Sequence, residues 1–246
     1  MTLKNNIVLA RFLMLILSFL ISVTGVLTKS LINIFPLWEV MFFNGLTCVT
    51  ISFSVILAKG LHNLKVSRPY LHLFRVSSMV GAITCFVISL KFFFIIEVMA
   101  IYNFSPILIA LLAILILKEK FNIFRIGAIL LGFIGVIFII QPGTNIFSIK
   151  LFIPFVGVGC VALAYISTRS IMKIDNVYAT VFYYSLGILL TAIIFFPNDF
   201  IIPNAYYCIG LLMVGVISVT SHYLFTLATK HAEVSSIAPI EYIAFI

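Results

Sequence analysis

The chain has 246 residues, 63% of them hydrophobic and 9% charged, with a mean hydropathy of +1.28. A soluble domain carries about 25% charged residues, so the composition excludes one and points to the bilayer. A net charge of +8 would suggest nucleic acid in a soluble protein; here the basic residues fall between apolar runs and read as topology signals, and no nucleic-acid partner is expected.

Apolar runs recur at Ile7–Leu27, Leu37–Leu57, Tyr70–Leu90, Val98–Leu117, Ile123–Ile140, Leu151–Thr168, Tyr178–Phe196, Ala205–Thr229 and Val234–Ile246. These are nine candidate helices, spans 1 to 9, of an all-α multi-pass membrane protein in contact with lipid. Span 1 is too long for a signal-peptide core and lacks a small-residue cleavage site, so it is expected to be retained. Only KEKFN separates spans 4 and 5, which makes them an antiparallel hairpin. Pro36, Pro69, Pro142, Pro197 and Pro203 lie in or beside connections, whereas Pro106, Pro154 and Pro239 fall inside spans. Cys48, Cys85, Cys160 and Cys208 show no metal or redox spacing and read as reduced packing residues. Gly127, Gly132 and Gly135 in span 5, with Gly157 and Gly159 in span 6, are expected to allow close approach of neighbouring spans.

Counting Lys and Arg by alternate connection gives twelve on one side (Lys4, Arg11, Lys59, Lys65, Arg68, Arg75, Lys118, Lys120, Arg125, Arg169, Lys173, Lys230) and three on the other (Lys29, Lys91, Lys150). The positive-inside rule then places the N-terminus in the cytoplasm.

An internal repeat sets the expected architecture. Thr28-Lys29-Ser30-Leu31, Trp38 and Phe42-Phe43 recur as Thr168-Arg169-Ser170-Ile171, Tyr178 and Phe182-Tyr183, and Glu97-Val98 with Ile101 recurs as Glu233-Val234 with Ile237. Residues 1–143 form a first five-helix repeat and 144–246 a second, incomplete one. Five is odd, so the second copy enters the membrane inverted. Projected onto a ten-helix fold, span 9 is cut short and span 10 is missing.

These residues together resemble the EamA-type branch of the drug/metabolite transporter superfamily. The resemblance is carried by Pro36…Glu39 with Phe42-Phe43, SRPYLHLFR at 67–75, Glu97…Ala100-Ile101 with Ser105-Pro106, and KEKF at 118–121. Gly132-Phe133…Gly135-Val136 with Pro142-Gly143, Thr168-Arg169-Ser170 and Ala238-Pro239-Ile240-Glu241-Tyr242 complete it. Within that branch the chain looks most like S-adenosylmethionine uptake transporters of intracellular bacteria. The resemblance implies a bacterial inner-membrane carrier for S-adenosylmethionine or a similar small metabolite. It departs from the family pattern at Asn44, where a basic residue is common, and at its C-terminal end.

An ionisable group on a span invites a functional reading, because a charge near the bilayer centre costs about 2.5–3.5 kcal/mol on insertion scales. Glu241, beside Pro239 and Tyr242, is the leading candidate, against a neutral hydrogen-bonded role. His222 in span 8 suits proton coupling or a ligand carboxylate, against a satisfied core histidine. Tyr102 and Asn103 beside Ser105-Pro106 offer donors and acceptors, and Asn103 aligns with Pro239, so both copies interrupt a helix at similar depth. Tyr165, Tyr183 and Asn44 are further cavity candidates. Trp38 and Tyr178 occupy equivalent helix starts, where aromatic-belt anchoring competes with adenine stacking. Glu39 and Glu97 read as solvated helix-start carboxylates.

No GxxxxGK[ST], HExxH or GxSxG occurs, so no enzyme activity, cofactor or metal is expected. The alternative to a carrier is a non-transporting remnant left by C-terminal truncation. A homodimer is compatible with the sequence.

Overall fold

The computed structural model describes residues 6–118, 149–196 and 199–237, with positions 127, 130, 131, 134 and 240. Its helices are α1 (Ile7–Ile32), α2 (Leu37–Lys59), α3 (Pro69–Phe92), α4 (Ile95–Tyr102), α5 (Ser105–Leu117), α6 (Phe152–Ile171), α7 (Val177–Ile194), α8 (Ala205–His231) and the single turn α9 (Val234–Ile237). Among the described residues there is no strand, and seven segments are long and apolar enough to cross a membrane, with α4 and α5 forming one of them. The protein is a multi-pass helical membrane protein. Span 5, apart from four positions, and most of span 9 lie outside the described residues, as do Glu241, Tyr242, Gly132 and Gly135.

The helix starts are written in the sequence. Asn6, Asn176 and Asn204 accept the backbone N–H three residues on, from Leu9, Ala179 and Tyr207, at 3.2, 2.8 and 3.0 Å. Pro69 occupies the first position of α3, where a missing N–H costs nothing. The ends differ from expectation. Helix α1 continues through Thr28-Lys29-Ser30 to Ile32, because Lys29 turns its ammonium to the last carbonyls of α3, those of Leu90 and Phe93. Likewise α6 continues past Thr168 to Ile171, and Arg169 donates from Nη1 to Thr229 O at 2.6 Å and Lys230 O at 3.3 Å, at the end of α8. A cation at a helix C-terminus meets unpaired carbonyls and the negative end of the dipole.

Span 4 is broken. Pro106 has no N–H for the Tyr102 carbonyl, and the chain turns at Asn103–Phe104, with Asn103 N bonded to Met99 O and Phe104 N to Ile101 O, both at 3.0 Å.

Packing pairs the helices in a regular way: α1 lies on α8, α3 on α6, α2 on α7, α2 also on α8 and α3 also on α7. Of the described glycines of spans 5 and 6, Gly157 meets the expectation, crowded by Tyr102 and Cys85, whereas a Cβ at Gly127 or Gly159 would meet open space. The tight crossing is α2 against α7, where a Cβ at Gly45 would come within 2.7 Å of the Leu189 backbone. Large apolar side chains such as Phe12, Phe19, Leu131, Phe152 and Ile194 cover the outside, as lipid contact requires.

Candidate functional site

Where α1, α3, the α4–α5 break, α6, α7 and α8 meet, they enclose a cavity of about 260 Å³. Apolar walls come from Leu17, Ile21, Met79, Ala82, Ile83, Phe86, Met99, Val161 and Phe225. Polar groups come from Ser18, Thr24, Tyr102, Asn103, Ser105, Tyr165, Tyr184, Ser218, Ser221 and His222. An apolar pocket with a few placed polar groups is the ordinary form of a small-molecule site.

Four of the sequence candidates converge here. Asn103 is exposed to the cavity because Pro106 breaks the helix beside it, and Tyr102 donates its hydroxyl to Ala82 O at 2.9 Å, bracing the break against α3. Tyr165 packs its ring 4.3 Å from that of Phe225. His222 stacks on Tyr184, with ring centroids 3.3 Å apart. Three lining atoms have no hydrogen-bond partner among the described residues: Asn103 Nδ2, Ser221 Oγ and His222 Nδ1. Each buried unsatisfied group costs about 1–3 kcal/mol, so three around one cavity are a stored demand for a ligand or water.

The other candidates among the described residues do not line the cavity. Asn44 is buried between helices, its Oδ1 3.3 Å from Cys48 Sγ. Tyr183 donates its hydroxyl to Leu64 O at 3.0 Å, at one end of the bundle. Trp38 stacks on Phe195 at 4.8 Å, at the other end of the bundle and away from the cavity. Glu39 is not a solvated carboxylate: it is fully buried and accepts from Ile201 N at 3.1 Å, whereas Glu97 does accept from Phe94 N at its helix start, at 2.8 Å.

Sequence reasoning missed Arg75. Counted there as a topology charge, it is fully buried, with Nε donating to Thr168 Oγ1 at 2.8 Å and Nη1 to Thr180 O at 2.9 Å. Its Nη2 has no partner, and among the described residues no carboxylate pairs with it. A charge seven residues inside α3 was the available signal. Ser218, Ser221 and His222 were also legible, as a polar stripe of helical spacing on α8.

One turn before Arg75, His72 Nε2 lies 2.8 Å from Asp175 Oδ2, and Ser67 N donates to Asp175 Oδ1 at 2.9 Å. Burial alone would raise the Asp175 carboxyl; the bonds from Ser67 and His72 outweigh it and hold it below the usual carboxylate range. Asn176 Nδ2 donates to Asn63 O at 3.1 Å. The connection between α2 and α3 is thereby stitched to the one between α6 and α7.

Residues 8–141 match the model of the EamA-like transporter family, more than half of the chain. The chain belongs to the EamA-like transporter family. It is therefore a membrane transporter rather than an enzyme. Among curated relatives, the pseudopaline exporter CntI of Pseudomonas aeruginosa is 23% identical over 248 residues, covering 99% of this chain and 85% of that protein. An uncharacterized transporter of Helicobacter pylori is 26% identical over 146 residues, covering 56% of this chain and 49% of that protein. A solved crystal structure at 14% identity superposes with a TM-score of 0.77 over 98% of this chain and 85% of that one, a likeness of fold. These matches favour a carrier over a non-transporting remnant.

Proposed function

We propose that this EamA-family carrier moves a small polar organic metabolite across the bacterial inner membrane by alternating access, with the substrate held in the central cavity. The observation that carries this reading is that both sequence halves line one cavity: Ser18, Met79, Tyr102 and Asn103 from 1–143, and Tyr165, Tyr184 and His222 from 144–246. Secondary transporters bind at such an interface between repeats, near the midplane.

We read 1–143 and 144–246 as inverted five-helix repeats of a ten-helix fold. Exchanging α1 with α6, α2 with α7 and α3 with α8 turns the α1–α8 pair into α6–α3 and α2–α8 into α7–α3, and leaves α2–α7 unchanged, so the observed pairings support the exchange. The sequence-equivalent cations support it too, since Lys29 caps α3 and Arg169 caps α8. The charge count favours a cytoplasmic N-terminus, and the name of the exporter relative favours outward movement. S-adenosylmethionine stands on resemblance, with Glu241 and Tyr242 as its assigned contacts.

The test is untargeted comparison of metabolites in cells and medium for cultures expressing the full chain, Ala82→Trp, which fills the cavity, or no carrier. The full chain should shift at least one small organic metabolite between the compartments and the variant should not. Profiles indistinguishable from carrier-free cells, S-adenosylmethionine included, would overturn the reading.

A further inference from the structure

Three residues of the cavity lining hold polar atoms without partners among the described residues. Asn103 and Ser221, 6% and 8% exposed, leave Nδ2, a donor, and Oγ, which donates or accepts, and His222 leaves Nδ1, a donor in one tautomer. No Asp or Glu among the described residues lines the cavity. Behind the wall stands a buried cation, Arg75, that has no counter-ion among the described residues. Arg75 lies four residues before Met79, which lines the cavity, so the two share one face of α3. Its Nη1 donates to Thr180 O at 2.9 Å, one helical turn before the lining Tyr184, whose ring meets that of His222, and its Nε donates to Thr168 Oγ1 at 2.8 Å, three residues after the lining Tyr165. An ammonium or sulfonium group would meet the same sign of charge there, whereas an anion would satisfy the donors and the uncompensated charge together. The rest of the wall is aliphatic and aromatic.

We infer that the cavity selects an organic carboxylate with an apolar body, its carboxylate at the Ser221–His222 wall in the field of Arg75 and a further acceptor at Asn103. Arg75 is a positioning residue: it sets the sign of the site through Tyr184 and His222. This inference rests on the reading of the cavity as the transport site.

The experiment uses the full chain in lipid nanodiscs and calorimetric titration with three matched series: 3-phenylpropionate, indole-3-propionate and octanoate, each beside its primary amide and its amine. In at least one series the carboxylate should bind about tenfold tighter than the amide, because charge-assisted hydrogen bonds are the stronger kind, and the amine weakest. Equal binding of acid and amide, tighter binding of the amine, or no binding of any carboxylate would overturn the inference. Ser221→Ala and Arg75→Gln should bring the acid-to-amide ratio towards one, while Arg75→Lys keeps it above one. A merely structural Arg75 would lower all affinities and leave the ratio unchanged, which would remove it from the site. Should Arg75→Gln not fold, Ser221→Ala and His222→Gln carry the ratio test. Ala82→Trp separates the two readings: carboxylate binding that survives it lies outside the cavity and overturns this inference alone, whereas metabolite movement that survives it overturns the transport-site reading.

Discussion

The two ends of the bundle are closed by different chemistry. At the end that gathers the α2–α3 and α6–α7 connections, the halves are tied by directed polar bonds: Ser67 and His72 to Asp175, Asn176 to Asn63, Tyr183 to Leu64. At the opposite end, rings pack on rings: Trp38 on Phe195 at 4.8 Å, Phe42 on Phe196 at 5.2 Å and Phe43 on Phe200 at 6.5 Å, with Glu39 on Ile201 N as the polar tie. A hydrogen bond is lost within a few tenths of an ångström, whereas aromatic pairs stay favourable with centroids anywhere from about 4.5 to 7 Å apart. The polar end therefore parts all at once, while the aromatic end slides. Under the alternating access proposed above, that difference would make one end a switch and the other a slope.

The largest effect should come from the crossing that both ends share. Gly45 lets α2 meet the Leu189 backbone of α7, and a branched side chain there would push the helices apart and strain both closures. Overpacking a tight contact costs about 1–3 kcal/mol, and here the obstructing atoms are backbone. Gly45→Val is expected to lose most monodisperse protein on solubilisation, read by size-exclusion chromatography. A normal yield would show that the α2–α7 crossing does not hold the ends together.

Next comes the switch. Asp175→Ala removes two bonds to an ionised carboxylate, a kind worth about 1.5–3 kcal/mol each, and should lower the melting temperature. It should also speed alkylation of a cysteine placed at buried Thr180, in a background without the four native cysteines. Combined with Tyr183→Phe, which removes the tie to Leu64, the effects should fall short of additive, because one opening breaks both bonds. Strict additivity would deny that this end parts as a unit.

The slope should yield less. Trp38→Leu and Phe43→Leu are each expected to cost about 0.5–1.5 kcal/mol beyond lost area and to add when combined, since each ring pair can readjust alone. Cooperative loss would make the two ends alike and erase the contrast.

How legible these ends were follows from the type of signal each residue gives. The spans, the helix starts at Asn6, Asn176 and Asn204, and the break before Pro106 are local, written within a few residues of one another. Asn103, Tyr102, Tyr165 and His222 could be found as polar residues on apolar helices. Arg75 showed only its depth in a span and Glu39 could not be separated from a solvated charge, because only the fold places Thr168 and Thr180 around one and Ile201 against the other. Trp38 was ambiguous for the same reason, as its stacking partner Phe195 lies on another helix end, 157 positions away.

The smallest effect is the pH dependence of the polar end. The Asp175 carboxyl is held below its ordinary value by Ser67 and His72 despite burial, so the folded state binds its proton more weakly than the unfolded chain, whose carboxyl titrates near about 3.9. A depressed carboxyl contributes stability in full above the unfolded value and loses it as pH falls through the folded one. The imidazole of His72 carries a proton equilibrium of its own and would blur this. The measurement therefore belongs in a His72→Gln background, where the amide N–H can still donate to the carboxylate but carries no proton equilibrium. There the destabilisation caused by Asp175→Asn should stay constant from pH 8 to 5 and shrink below about pH 4, by about 1 kcal/mol or less. Thermal melts in detergent from pH 3 to 8 read it directly. A destabilisation that instead grows as pH falls from 8 to 5 would mean that burial prevails and the carboxyl is raised; the polar end would then be a latch that opens at neutral pH rather than one that holds there.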